Sequence, residues 1–146
     1  MKIPFTKMSG CGNDFILIDH RSQFLQNENL IELTQALCHR KNGVGADGLI
    51  LIERSAHHAF QWKFFNSDGS IPDMCGNGAR CAARFAQDKN IAEKHFFFNT
   101  AIGSIEAFVL EKTVKIQMFE PTGLKLDVTL EGLSAACYSF REKIYS

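Results

Sequence analysis

Met74-Cys75-Gly76-Asn77-Gly78-Ala79-Arg80-Cys81 holds the residues best placed to do chemistry. Residues 76–89 read as a helix, which puts Cys75 at or near its N-cap. The first N–H groups of a helix have no partner within it, and the peptide dipoles add partial positive charge there. Both favour a thiolate over a thiol, and the same N–H groups can hold a substrate carboxylate. Gly76 and Gly78 let a ligand approach the backbone closely, and Asn77 offers an amide that both donates and accepts. The plainer reading is a small buried cysteine beside a tight turn. Taken alone, that reading is the stronger one, because free cysteine is commonly buried and inert. Cys81, inside the helix, fits it well.

Two further segments, Gly10-Cys11-Gly12-Asn13-Asp14-Phe15 and Phe65-Asn66-Ser67-Asp68-Gly69, each place an asparagine at the end of a strand beside glycine. In isolation they are turns, where Asn and Asp tolerate positive φ or bond their own backbone. The sequence gives Cys11 no special environment. Five cysteines, at 11, 38, 75, 81 and 137, form an odd and irregular set, and thiols in a reducing cytoplasm are the simplest expectation. No metal is expected: Cys75 and Cys81 are spaced too widely for a zinc knuckle, and no His pair stands at ligand spacing. The adjacent His57-His58 read as surface loop residues. Gly43-Val44-Gly45-Ala46-Asp47-Gly48 matches G-x-G-x-x-G, but here a helix precedes and a strand follows. That order is opposite to a dinucleotide site, so the segment reads as a glycine-rich helix-to-strand connection.

The elements that must position these residues follow from periodicity. Residues 2–8 suit a first strand, and residues 14–19 are a continuous apolar run that suits a buried strand. Residues 29–40 carry Leu30, Leu33, Ala36 and Leu37 at helical spacing, with Asn27 or Asn29 as N-cap. Residues 49–53 and 61–66 read as strands, and Ser67-Asp68-Gly69-Ser70 as a turn. The helix at 76–89 carries small residues around most of its early circumference, which predicts that protein surrounds it. Strands at 96–100, 103–110 and 113–119 follow, the last two forming a hairpin around Glu111-Lys112. The order predicts an α+β domain with a mixed or antiparallel sheet wrapped around a central helix. The domain is expected to span residues 1–121, with residues 122–146 a poorly readable tail.

With 146 residues, 45% hydrophobic, the chain can bury a real core. Its charges balance, 16 against 16, so nothing electrostatic points to nucleic acid or an anionic membrane as partner. No apolar stretch has the length of a signal peptide or a bilayer span, which adds to the expectation of a cytoplasmic protein.

Three segments taken together resemble the diaminopimelate epimerases: Lys7-Met8-Ser9-Gly10-Cys11-Gly12-Asn13-Asp14-Phe15, Phe65-Asn66-Ser67-Asp68-Gly69-Ser70 and Met74-Cys75-Gly76-Asn77-Gly78-Ala79-Arg80-Cys81. They stand in the family's order and at about its separation, and residues 43–49 fit its glycine-rich strand entry. The resemblance runs from residue 1 to about Pro121. Related racemases and phenazine-pathway isomerases look less similar. The resemblance implies one of two similar domains with the active site in the cleft between them. It implies an epimerase free of pyridoxal phosphate and of any other cofactor, converting LL- to meso-diaminopimelate in lysine and peptidoglycan synthesis. One cysteine would remove the α-proton and a second, on the opposite face, would deliver one. Cys75 matches the first-domain cysteine, and Asn13, Asn66, Gly76 and Asn77 match substrate-binding positions.

Ser9 and Cys11 depart from the family's His and common Leu. The family's second cysteine sits in a Gly-Cys-Gly-Thr-Gly-like motif that this sequence lacks. Cys137, in Ala135-Ala136-Cys137-Tyr138-Ser139, has no glycines around it and is not assigned that role. The chain is therefore expected to be incomplete as an epimerase, needing a separate second-domain chain or a second copy of itself. The alternative is a non-catalytic or self-associating half-domain that binds a small amino acid.

Overall fold

The computed structural model describes residues 2–120 in full, and the backbone of three strands within residues 122–145. Strands β1 (Thr6–Gly10), β2 (Asn13–Asp19), β3 (Gly48–Glu53), β4 (Phe60–Asn66), β5 (His95–Thr100), β6 (Gly103–Val109) and β7 (Val114–Ile116) form one sheet in sequence order. Helix α1 (Leu30–Cys38) links β2 to β3, and α2 (Gly76–Asp88) links β4 to β5. Both helix-bearing connections join parallel neighbours, and the other pairs are antiparallel. The sheet is thus mixed. Beyond it, β8 (Thr122–Leu130), β9 (Leu133–Phe140) and β10 (Lys143–Tyr145) form a separate antiparallel sheet in the order β10-β9-β8.

The central strands are buried on both faces, which is why β2 and β3 are apolar without alternation. Phe15 and Leu17 of β2 and Ile50 and Ile52 of β3 join the core around α2. Ile16, Ile18, Leu49 and Leu51 point the other way, into a second core with Leu30, Leu33 and Cys38 of α1. Helix α2 packs against β1, β2 and β3 at one side and β6 and β7 at the other, so the sheet curls around it. Ala79, Ala82, Ala83 and Ala86 are fully buried there. Short side chains around the helix let strands approach from several directions, so the expectation of a helix enclosed by protein is met.

Most elements match their expected positions, and the shifts have local causes. Asn29, not Asn27, caps α1, its Oδ1 accepting from Ile31 N at 3.2 Å and Glu32 N at 3.4 Å. The helix stops at Cys38 rather than residue 40 because His39 turns to extended backbone (φ −63°, ψ 120°). The first strand begins at Thr6, not Lys2. Pro4 has no N–H for a ladder, and a two-residue turn at Cys11-Gly12 sets the register further along, with Gly10 opposite Asn13. Both turn residues have positive φ (55° and 83°), the pattern of the favoured hairpin turn. The last strand of the main sheet ends at Ile116, so Met118 is exposed rather than part of an alternating strand.

Gly48 opens β3 between Phe15 on one neighbour and Asn66 on the other. A Cβ there would lie 2.7 Å from both Phe64 Cε2 and the Phe65 carbonyl oxygen. The oxygen belongs to the backbone and cannot move aside cheaply. Gly48→Ala is expected to destabilise the fold by about 1–3 kcal/mol, read from the urea midpoint at unchanged m-value. An unchanged midpoint would show that β3 and β4 are not held this tightly.

Candidate active site

The site collects at one end of the sheet. Strands β2 and β3 are parallel and both start there, while β1 and β4, antiparallel to them, both end there. Asn13, Gly48 and Asn66 are therefore the first or last residues of neighbouring strands, and the chain leaving β4 returns to start α2 at the same end. Asp47 ties the ends together: its N–H donates to the Asp14 carbonyl and its carbonyl accepts from Ser67 N–H, both at 2.9 Å.

Cys75 is the N-cap of α2, with extended backbone (φ −144°, ψ 110°). It is half-buried. Its Sγ accepts from the Gly78 N–H at 3.4 Å, so the sulfur takes the place that a serine or aspartate oxygen has in an ordinary cap. A methyl at Gly78 would lie 3.3 Å from Ile50 Cδ1 and 3.6 Å from Sγ, so glycine brings the amide close to both the core and the sulfur. A Cβ at Gly76 would meet only ordinary contacts, the nearest at 3.7 Å, which leaves the outer side of the first turn open.

Asn13 reaches the same sulfur from β2: Asn13 Oδ1 lies 3.7 Å from Cys75 Sγ and 3.5 Å from Asn77 Nδ2. The Asn13 Nδ2 donates to Asp47 Oδ2 at 2.7 Å. Asn77 in turn accepts from Arg80, whose guanidinium also lies 3.7 Å from Cys11 Sγ. Behind Asp47 is an ion cluster. Arg40 donates to Asp47 Oδ1 at 2.7 Å and to Asp14 Oδ1 at 2.9 Å, and Lys7 Nζ is 3.3 Å from Asp14 Oδ2. The Arg40 hydrogen bond holds the Asp14 carboxyl well below the usual carboxylate range, against a smaller opposing effect of burial.

Of the residues singled out in the sequence, Cys75, Gly76, Asn77 and Asn13 come together. Asn66 stands at the same end of the sheet, but its amide donates to Ser70 Oγ at 3.0 Å, within its own turn. Asp47, Arg40 and Arg80 were not singled out. The sequence marks Arg80 only by its place in the cysteine segment. Nothing local signals that Asp47 reaches residue 13. A cavity of ≈ 300 Å³ lined by Trp62, Phe64, Ile71 and Pro72 opens elsewhere, where β4 and β5 diverge after pairing at Phe60 and Gln61. It includes none of the Cys75 group, so volume and chemistry point to different places. Titratable groups converging on a helix end are the better guide.

The fold has solved counterparts. A probable proline racemase from Agrobacterium radiobacter superposes with a TM-score of 0.67 at 15% identity, over 94% of this chain and 48% of its own. A methylitaconate-delta-isomerase gives 0.61 at 16% identity, over 96% of this chain and 42% of its own. The α+β architecture, with its sheet curled around one helix, is thus that of the racemase and isomerase fold. Sequence then narrows it: the Diaminopimelate epimerase family profile matches residues 5–123, and the chain belongs to that family. It is 49% identical over 122 residues to the diaminopimelate epimerase of a Hydrogenobaculum species, covering 77% of this chain and 44% of that protein. It is 43% identical over 130 residues to that of Aquifex aeolicus, covering 82% and 47%. The chain spans about half the length of these relatives.

The described cysteines divide sharply. Cys38 and Cys81 are buried, and burial pushes both thiols up to about 11. This agrees with reading Cys81 as a packing residue. Cys75 is half-buried and Cys11 exposed. Iodoacetamide at pH 8 is expected to modify Cys75 and Cys11 at least about tenfold faster than Cys38 and Cys81, mapped by peptide mass spectrometry, since only accessible thiolate reacts. Equal labelling of Cys81 and Cys75 would contradict this burial pattern.

Proposed function

We propose that the protein works as an amino-acid epimerase on diaminopimelate, without a cofactor, and that Cys75 is its acid–base residue on one face of the α-carbon. The observation that carries the reading is the Cys75 sulfur at the first turn of α2, half-buried, bonded to the Gly78 amide and met by Asn13. Family membership and the names of the curated relatives support the substrate.

The substrate's α-carboxylate rests against the open amides at the start of α2, with Gly76 and Asn77 lining it and Asn13 and Asn66 completing the pocket. When a base removes the α-proton, the C–H electrons move into the carboxylate, which becomes enediolate-like. Fixed N–H donors stabilise that charge as it develops. A cysteine on the opposite face gives its proton to the planar carbon and is left as thiolate, so the sulfurs exchange protonation states in each turnover. Running in reverse, the same two groups trade roles.

The second cysteine, which would face Cys75 across the α-carbon and serve as base or acid according to direction, has no counterpart in the Cys75 group. Because the relatives are about twice as long, it comes from a second domain, joined or separate, or from a second copy of this domain. A lysine-pathway role and a cytoplasmic location follow from the same reading.

The test is deuterium uptake at the α-carbon of diaminopimelate in D₂O. The protein is assayed alone at high concentration and mixed with the C-terminal half of the Aquifex aeolicus relative. Uptake is expected in at least one of these, falling by about 10²-fold or more in Cys75→Ala, the range for loss of a general acid or base. Uptake that Cys75→Ala leaves unchanged, or no uptake in either arm with both polypeptides folded, would sink the proposal.

A further inference from the structure

We infer that Asp47 and Arg80 are positioning residues that lock the amides of Asn13 and Asn77 into one orientation and so keep Cys75 at rest as a proton-bearing thiol aimed at Asn13. This rests on the acid–base role proposed for Cys75. A carboxylate only accepts hydrogen bonds and a guanidinium only donates them. The Asn13 amide atom 2.7 Å from Asp47 Oδ2 must therefore be the nitrogen, which leaves Oδ1 facing α2. At the other end Arg80 donates to Asn77, so the atom it meets must be Oδ1, which leaves Nδ2 facing Asn13. The two assignments are independent, and they agree. Asn77 Nδ2 then meets Asn13 Oδ1 at 3.5 Å, a donor opposite an acceptor. A flip of either amide would set like against like at both of its links in the row Arg80–Asn77–Asn13–Asp47.

The Asp47 carboxylate is itself held in place. Its Oδ2 also accepts from the Asp14 N–H at 3.0 Å, and its Oδ1 accepts from Arg40 at 2.7 Å. The donors all run one way, from Arg80 through Asn77 and Asn13 to Asp47.

The sulfur responds to this polarity. A helix end alone favours thiolate, and the Gly78 N–H acts in that sense. The Asn13 oxygen, 3.7 Å from Sγ, acts against it: a lone pair facing sulfur is satisfied only when sulfur carries the proton. Were Asn13 reversed, its NH₂ would face the sulfur and favour the anion. In a two-thiol epimerase one group must start protonated and the other not. The lock gives the resting proton to Cys75 before substrate binds.

The test reads thiol chemistry and needs no turnover. Cys75 alkylation is followed against pH by peptide mapping, in the parent protein and in Asp47→Asn, Asn13→Ala and the double variant. Asp47→Asn is expected to move the profile to lower pH and to raise the rate at pH 7 about threefold to tenfold, the worth of one hydrogen bond. Removing the Asp47 charge also acts through space, so the cycle decides the mechanism. In the Asn13→Ala background most of the effect of Asp47→Asn should vanish. An unmoved profile in Asp47→Asn, or an equal shift with and without Asn13, overturns the inference. If Asp47→Asn does not fold, the parent protein still decides it by NMR. The Asn13 Nδ2 protons should show Overhauser contacts to the Asp14 amide proton, and contacts to the Cys75 Hβ protons instead overturn it. Failed deuterium uptake with a shifted alkylation profile would reject the epimerase reading and leave the lock standing. The reverse pattern would reject the lock alone.

Discussion

The structure depends on how closely a seven-stranded sheet can approach one helix. Ala79, Ala82, Ala83 and Ala86 put little more than methyl groups around α2, so strands from both ends of the sheet reach it. Helices normally show one apolar stripe to a sheet, but this one is enclosed. Its two ends are then the parts of α2 left less covered, and the first turn emerges where β1 to β4 begin or end. The position of the Cys75 sulfur is a consequence of that closure as much as of its own cap.

The end of the sheet supplies what the helix end lacks. Free amides at a helix terminus attract any anion, which gives no control over a proton. Asn13, arriving from β2, adds an acceptor beside the sulfur, and Asp47 decides which amide atom that is. The Asp14–Asp47–Arg40–Lys7 cluster behind them joins the entry to β3 to Lys7 of β1 and to the start of β2. Exposed ion pairs such as these add little to stability. Their contribution here is geometric, since they hold one carboxylate where it can bond an amide.

Family membership and site geometry support each other without duplicating. The solved structures of the fold are too distant in sequence to specify a reaction, and a shared fold hosts many chemistries. The relatives named as diaminopimelate epimerases support the proposed substrate. The hydrogen bonds around Cys75 indicate how a sulfur there could handle a proton. The match covers about half the length of those relatives.

Much of this was legible from residue order because it rests on local rules. Asn29 caps α1 through its own neighbours, the runs in β2 and β3 are apolar because both their faces are covered, and Cys75 precedes a helix whose first residues are small. The first strand lies at Thr6–Gly10 rather than at residues 2–8, because Pro4 and the Cys11-Gly12 turn set its limits in a segment of mixed polarity. Only the folded chain brings Asn13 to Asp47 and to Cys75, partners 34 and 62 residues apart. Such pairings follow from which strands lie side by side and in which direction, and the same apolar runs would permit other orders. Periodicity says which face of a strand is buried. The partner across from it is decided by packing the whole sheet around α2, so the hydrogen-bond polarity around Cys75 exists only in three dimensions.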